Sequence, residues 1–167
     1  MAKIMLLALL LGTSATPASA QDYLQIPANH FSAYSETTLS GVDVHNDSVE
    51  TIIEKLGLPN EVKTRLNEWS TDHIYEWQTT SYRLRLITRE SGWRALHIER
   101  LDVWGTRPAG VIGTTGRGLK LGDAIGQARL LYRHRAASNN SASLEIDFDR
   151  RGRVNHMQLN NYAPYSW

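Results

Sequence analysis

The sequence predicts an α+β, two-layer domain made of tandem helix-plus-antiparallel-hairpin units. Three observations predict it. The stretch Gly41-Val42-Asp43-Val44 recurs as Gly118-Leu119-Lys120-Leu121, and each copy runs on into an Asp and an apolar-periodic segment. Each such segment is helical in period, with apolar residues three and four apart. Each is followed by stretches that alternate apolar and polar residues around a Gly-containing turn, the pattern of a hairpin.

Taken in order, residues 1–20 read as a secretory signal peptide. Lys3 supplies the positive start, an apolar run follows, and Ala18-Ser19-Ala20 forms a small-residue cleavage site before Gln21. Residues 21–40 form an N-terminal extension. The first unit spans 41–105. Its helix is expected to be capped by Asp47, with Glu50 completing a capping box. Val49, Ile52, Ile53 and Leu56 form its apolar stripe, and Gly57 with Pro59 beyond it ends the helix. Residues 73–80, 82–88 and 95–103 are predicted strands. The second alternates clearly, with Tyr82, Leu84 and Leu86 on one face and Arg83 and Arg85 on the other.

A linker over 106–117 leads to the second unit, 118–160. Its helix is expected to start at Asp123 and to bury Ile125, Ala128, Leu131 and Tyr132. The polar stretch that follows suggests that this unit's first strand is short or missing. Residues 143–149 and 153–159 are the predicted hairpin, turned at 149–152. The chain closes on an aromatic tail, 161–167, expected to pack along an edge or to dock a partner.

The composition excludes several function classes. The chain has no cysteine, so disulfides, thiolate metal sites and a thiol nucleophile are absent, as is a lipidated cysteine anchor. It has 18 Lys plus Arg and 17 Asp plus Glu; without Lys3 the balance is 17 against 17. That neutrality argues against nucleic-acid binding driven by net charge. No stretch after the leader is apolar enough for a membrane helix, so no stable membrane anchor is expected. The product should be a soluble periplasmic or secreted protein.

The glycines at 116, 118 and 122 resemble a phosphate loop only superficially. The spacing matches neither phosphate-binding motif, and Asp123 would place a carboxylate where a phosphate binds. The histidines (30, 45, 73, 97, 134 and 156) show no helical metal-ligand spacing, although His97 and His156 occupy equivalent hairpin positions. No nucleophile elbow is present. Glu145 and Asp147 lie two apart on one strand face and read as solvated partners of Arg83 or Arg85. No metal, cofactor or catalytic residue is therefore expected.

The aromatic content points elsewhere. Five Trp and seven Tyr stand against two Phe, and Trp and Tyr suit half-exposed interface positions. With Ile74 turned to the helices, Tyr75 and Trp77 would face outward beside Arg83, Arg85, His97 and Glu99. Tyr, Trp and Arg dominate binding hot spots, so these six residues are the expected partner-binding set. Trp69 and Trp104 are expected in the core.

The run Gly118 to Asp123, a helix reaching Tyr132 and the hairpin 144–154 together resemble a unit of small exported bacterial proteins. The chain is similar to the tandem helix–hairpin repeat of the β-lactamase inhibitory protein family and to the single-unit small lipoproteins of outer-membrane assembly. The likeness covers roughly residues 41–159. It implies a non-enzymatic module, inhibitor or envelope adaptor, that binds another exported or envelope protein. The alternative is a small-ligand-binding or hydrolytic domain with a cleft between the units, using His97 and His156.

Overall fold

The computed structural model describes residues 29–34, 36–92, 94–133 and 142–162. The expected leader, the start of the expected extension, the polar connection after the second helix and the tail beyond Tyr162 fall outside them. Within them the elements are β1 (His30–Tyr34), β2 (Thr38–Leu39), β3 (Val42–Asp43), α1 (Val49–Leu56), β4 (Glu61–Leu66), β5 (Ser70–Gln78), β6 (Tyr82–Ser91), β7 (Arg94–Gly105), α2 (Ile125–Leu131), β8 (Ala142–Phe148) and β9 (Val154–Asn161). Seven strands form one open antiparallel sheet in the order β1-β8-β9-β7-β6-β5-β4; β2 and β3 make a separate small ribbon. The domain is mostly β, with two short helices.

Strand parity divides the sheet into two unlike faces, because successive side chains of a strand point to opposite sides. One face carries the cross-strand row Trp77, Leu84, Val103, Met157, Ile146 and Phe31. Beside it runs Tyr75, Leu86, Leu101, Leu159, Leu144 and Ala33. Ile52 of α1 and Ala128 of α2 join the same buried cluster, so both helices cover this face. Burial of these side chains, at about 1.5–3 kcal/mol each, is the main force holding the layers together.

The helix ends differ from the expected ones by a residue or two. Ser48, not Asp47, caps α1 and accepts from Thr51 N at 3.2 Å. Asp47 instead accepts from Asp43 N and pairs with Lys55 at 2.7 Å, tying the preceding loop to the helix. Helix α2 starts from Ala124 without a side-chain cap. Asp123 has turned back into its loop and accepts from Lys120 N at 2.8 Å. Gly122 sits at φ +87°, and a Cβ there would lie 2.6 Å from the carbonyl oxygen of Thr106. The glycine thus lets this loop press onto the chain just past β7, while its N–H donates to Val154 O of β9 at 2.7 Å.

The loop before α2 packs against the residues around β2. Leu39 bridges Thr115, and Ser40 N donates to Thr114 O at 2.8 Å. Glu36, buried, closes this junction. Its Oε1 accepts from Thr37 N and Thr38 N, each at 3.2 Å. Its Oε2 accepts from Arg117 N at 3.3 Å and from the Tyr132 hydroxyl at 2.8 Å.

Candidate functional site

The second sheet face carries charge where the first carries leucine. Its rows are Gln78, Arg83, Trp104, His156, Asp147 and His30, then Glu76, Arg85, Asp102, Gln158, Glu145 and Ser32. None of the described residues forms a layer over it.

Trp104 is the centre of the first row. His156 stacks on its ring at 4.8 Å between centroids and 5° between planes. Arg83 and Arg85 place their guanidinium carbons 5.5 and 5.4 Å from its centroid. Both arginines also donate to Glu76 Oε1 at 2.8 Å. Burial pushes the Glu76 carboxyl up, but the two arginines outweigh it and hold it below its ordinary 4.5. The indole and the carboxylate thus fix two guanidiniums in one orientation.

A second cluster lies toward the far end of β5, β6 and β7. Asp72 accepts from Arg89 at 2.8 Å, Arg65 at 2.7 Å and Asn67 at 3.0 Å. Its burial favours the neutral acid, yet these donors and the charge of Arg89 bring its pKa down to about 2. The register of β6 and β7 shifts after Ile87, and Glu99 lies against Arg89 at 2.8 Å. His97 sits 3.4 Å from Glu99; this close approach and the charge of Arg89 lower the Glu99 pKa against the effect of burial. Arg65, Ile87, Arg89, Glu99, Arg100 and Tyr162 are among the residues lining a recess of about 140 Å³ here.

The two clusters share one design. The carboxylates of Asp72, Glu76 and Asp102 are 0%, 9% and 2% exposed, while the paired side chains of Arg65, Arg83, Arg85, Arg89 and Arg100 are 27% to 60% exposed. The acids lie at the level of the sheet and the guanidiniums stand above them. An exposed ion pair contributes little to stability, but these buried acids hold the partly exposed cations in place.

The other end of the face is built from imidazole and carboxylate. His30 Nδ1 and His156 Nδ1 lie 2.7 and 2.8 Å from the two oxygens of Asp147. His156 Nε2 lies 3.6 Å from Asp102. Burial opposes charge on His156, but the carboxylates of Asp102 and Asp147 outweigh it and raise its pKa above 6.5. A raised histidine contributes its stabilisation fully below its ordinary pKa of 6.5 and loses it as pH rises through the folded-state value. Asp147, held below 3.8 despite partial burial, works in the opposite sense, and its contribution disappears as pH falls. The melting temperature should therefore fall as pH is raised from about 6 to about 8. His156→Gln should flatten that slope in thermal unfolding followed by circular dichroism; an unchanged slope would remove His156 as its cause.

Ser32 Oγ lies 3.3 Å from His30 Nε2, which gives a hydroxyl–imidazole–carboxylate order. The same nitrogen is 3.5 Å from Glu145 Oε2, which competes with the hydroxyl for it. The cluster is built as a chain of imidazole–carboxylate contacts across the strands.

The structure separates the expected binding set. Arg83 and Arg85 do stand together on the open face, and His97 and Glu99 share that face near its far end. Tyr75 and Trp77 lie on the opposite face. Trp77 is in the core, donating its indole N–H to Gly57 O at 2.9 Å, and Tyr75 packs against the same cluster. Ile74 is the residue that faces out. The parity of β5 follows Asp72 and Glu76, the acids that meet the β6 arginines, and not its one isoleucine. Trp69 and Trp104 also differ from expectation: Trp69 is exposed, and Trp104 is half-buried on the charged face.

His97 and His156 do not meet. His156 pairs with Trp104, seven residues from His97 along β7 and so roughly 23 Å away. Glu145 and Asp147 face His30 and His156 instead of Arg83 or Arg85. Trp104, Glu76, Asp72 and Asp102 escaped sequence reasoning. The usable signal was the acid pair at 72 and 76 matching the arginines of the next strand. Among the described residues no group of three or more His, Asp or Glu is placed to hold a metal ion, and no helix is long and apolar enough to cross a membrane.

Comparison with protein-family models, curated proteins and solved structures finds no match for the chain.

Proposed function

We propose that this chain is an exported, non-enzymatic protein-binding module that engages another exported or envelope protein through the open face of its sheet. It acts as an inhibitor or envelope adaptor without a cofactor. The observation that carries this reading is the layer of partly exposed arginines anchored on buried carboxylates. Preorganised donors lose little freedom when a partner docks. The leader-like start of the sequence supports export. The paired headers at Gly41 and Gly118, each at positive φ, support a duplicated unit.

Arg83 and Arg85 are the residues placed at the centre of the interface, with His97 and Glu99 at its edge. A photo-crosslinker replacing Gln158 on the open face should capture a discrete partner from envelope extract. One replacing Leu130 on the exposed side of α2 should not. Arg83→Ala with Arg85→Ala should abolish the capture. Equal labelling from both positions, or capture that survives the double change, would sink the proposal.

A further inference from the structure

The recess at the far end of the open face carries the reading further. Its lining holds three guanidiniums, from Arg65, Arg89 and Arg100, and one carboxylate, Glu99. Asp72 and Asp102 lie beneath the guanidiniums and outside the lining. Arg65 reaches Asp72 through one terminal nitrogen at 2.7 Å, and Arg100 reaches Asp102 through Nε at 3.0 Å. Among the described residues no other hydrogen bond engages either guanidinium. Each guanidinium has five N–H donors, so several remain for a ligand. Asn160 and Tyr162 border the same space, and Ile87 gives it an apolar wall.

These features select a ligand by its charge and shape. Three arginines balance Asp72, Asp102 and Glu99 to zero; Asp72 and Asp102 are buried below the guanidiniums, and of the three acids only Glu99 reaches the lining. That arrangement suits a single negative charge with two acceptor oxygens and disfavours a dianion beside Glu99. A carboxylate fits, because its two oxygens accept from two guanidinium forks at once. The volume of about 140 Å³ accommodates a side chain and not a polymer segment.

The geometry points to a carboxylate pocket in which an Asp or Glu side chain of an acidic partner segment inserts between Arg65, Arg89 and Arg100. This rests on the protein-binding reading and names what the partner presents. The pocket is distinct from the Arg83–Arg85 pair around Trp104, so an acidic stretch of several residues would span both.

The test is calorimetric titration of the full chain, after leader removal, with an octaglutamate peptide at low salt. Octaglutamine and inorganic phosphate serve as the other arms. Octaglutamate should bind, octaglutamine should not, and binding should weaken as salt screens the charges. Arg65→Gln with Arg100→Gln should weaken octaglutamate binding about tenfold or more. Arg129→Gln on α2 should leave it unchanged. Arg65→Lys with Arg100→Lys keeps the positive charge over Asp72 and Asp102, and with it the fold. It removes the fork and should still weaken binding several-fold. Binding within twofold of wild type in both double variants, equal binding of octaglutamine, or displacement by an equal concentration of phosphate would each overturn the pocket. Open-face crosslinking that depends on Arg83 and Arg85 would survive any of those results, so the two failures are distinguishable.

Discussion

Trp77→Ala is expected to cost the fold about 3–5 kcal/mol. The indole lies at one end of the row that runs through Leu84 and Val103 to Met157, and its N–H is bonded to the carbonyl that ends α1. Removing it opens a cavity between sheet and helix and leaves the Gly57 carbonyl without that donor. Trp77→Phe keeps most of the ring and should lose distinctly less stability. Equilibrium denaturation in guanidinium chloride reads both. The result also decides between the two faces of β5. A binding-face tryptophan would lose affinity at wild-type stability, whereas a core tryptophan loses stability first. A Trp77→Ala protein as stable as wild type would overturn the assignment of Trp77 to the core.

Glu36→Ala should be nearly as damaging, at about 3 kcal/mol, because it strands one buried and three part-buried donors at once. Three backbone N–H groups and the Tyr132 hydroxyl converge on this carboxylate. Burial pushes the Tyr132 hydroxyl well above its ordinary pKa, so it stays protonated and able to donate. The tyrosine oxygen also lies 2.8 Å from Thr115 Oγ1, and Arg117 covers its ring at 5.2 Å. The sharper variant is Glu36→Gln. It has the same shape but offers one acceptor oxygen and turns an NH2 group toward existing donors, so about 1–3 kcal/mol should be lost with no change in volume. Unaltered denaturation of Glu36→Gln would show that these contacts contribute little.

How far the sequence could be read depended on whether each element carried its own signal. The stripe Val49, Ile52, Ile53 and Leu56 places α1 by itself, and Leu84 and Leu86 against Arg83 and Arg85 place β6. The hairpin of β8 and β9 was equally clear from its alternation. Strand β4 was not legible, because all six of its residues are exposed and it has no apolar face to betray it. Strand β1 was missed because its partner is β8, far along the chain; the bonded pair His30 and Asp147 are 117 residues apart. Tertiary pairing makes such a strand, not local pattern.

The candidate site was legible to the same extent. Arg83 and Arg85 show in the alternation of β6. The partners that fix them, Glu76 and Trp104, come from neighbouring strands and require the register. In β5 apolar residues occur on both parities, so period alone could not orient it, and the choice of Ile74 as the inward residue turned Tyr75 and Trp77 the wrong way.

The exposure of β4 has a consequence beyond its invisibility. It is the last strand of the sheet, and its outer row of backbone N–H and C=O groups has no neighbouring strand among the described residues. A flat apolar strand in that position would template the addition of another chain and seed fibrils. Glu61, Lys63 and Arg65 alternate along it instead. Pairing a second strand along this edge would take those charges out of water, so the strand that packs least also resists edge-to-edge addition.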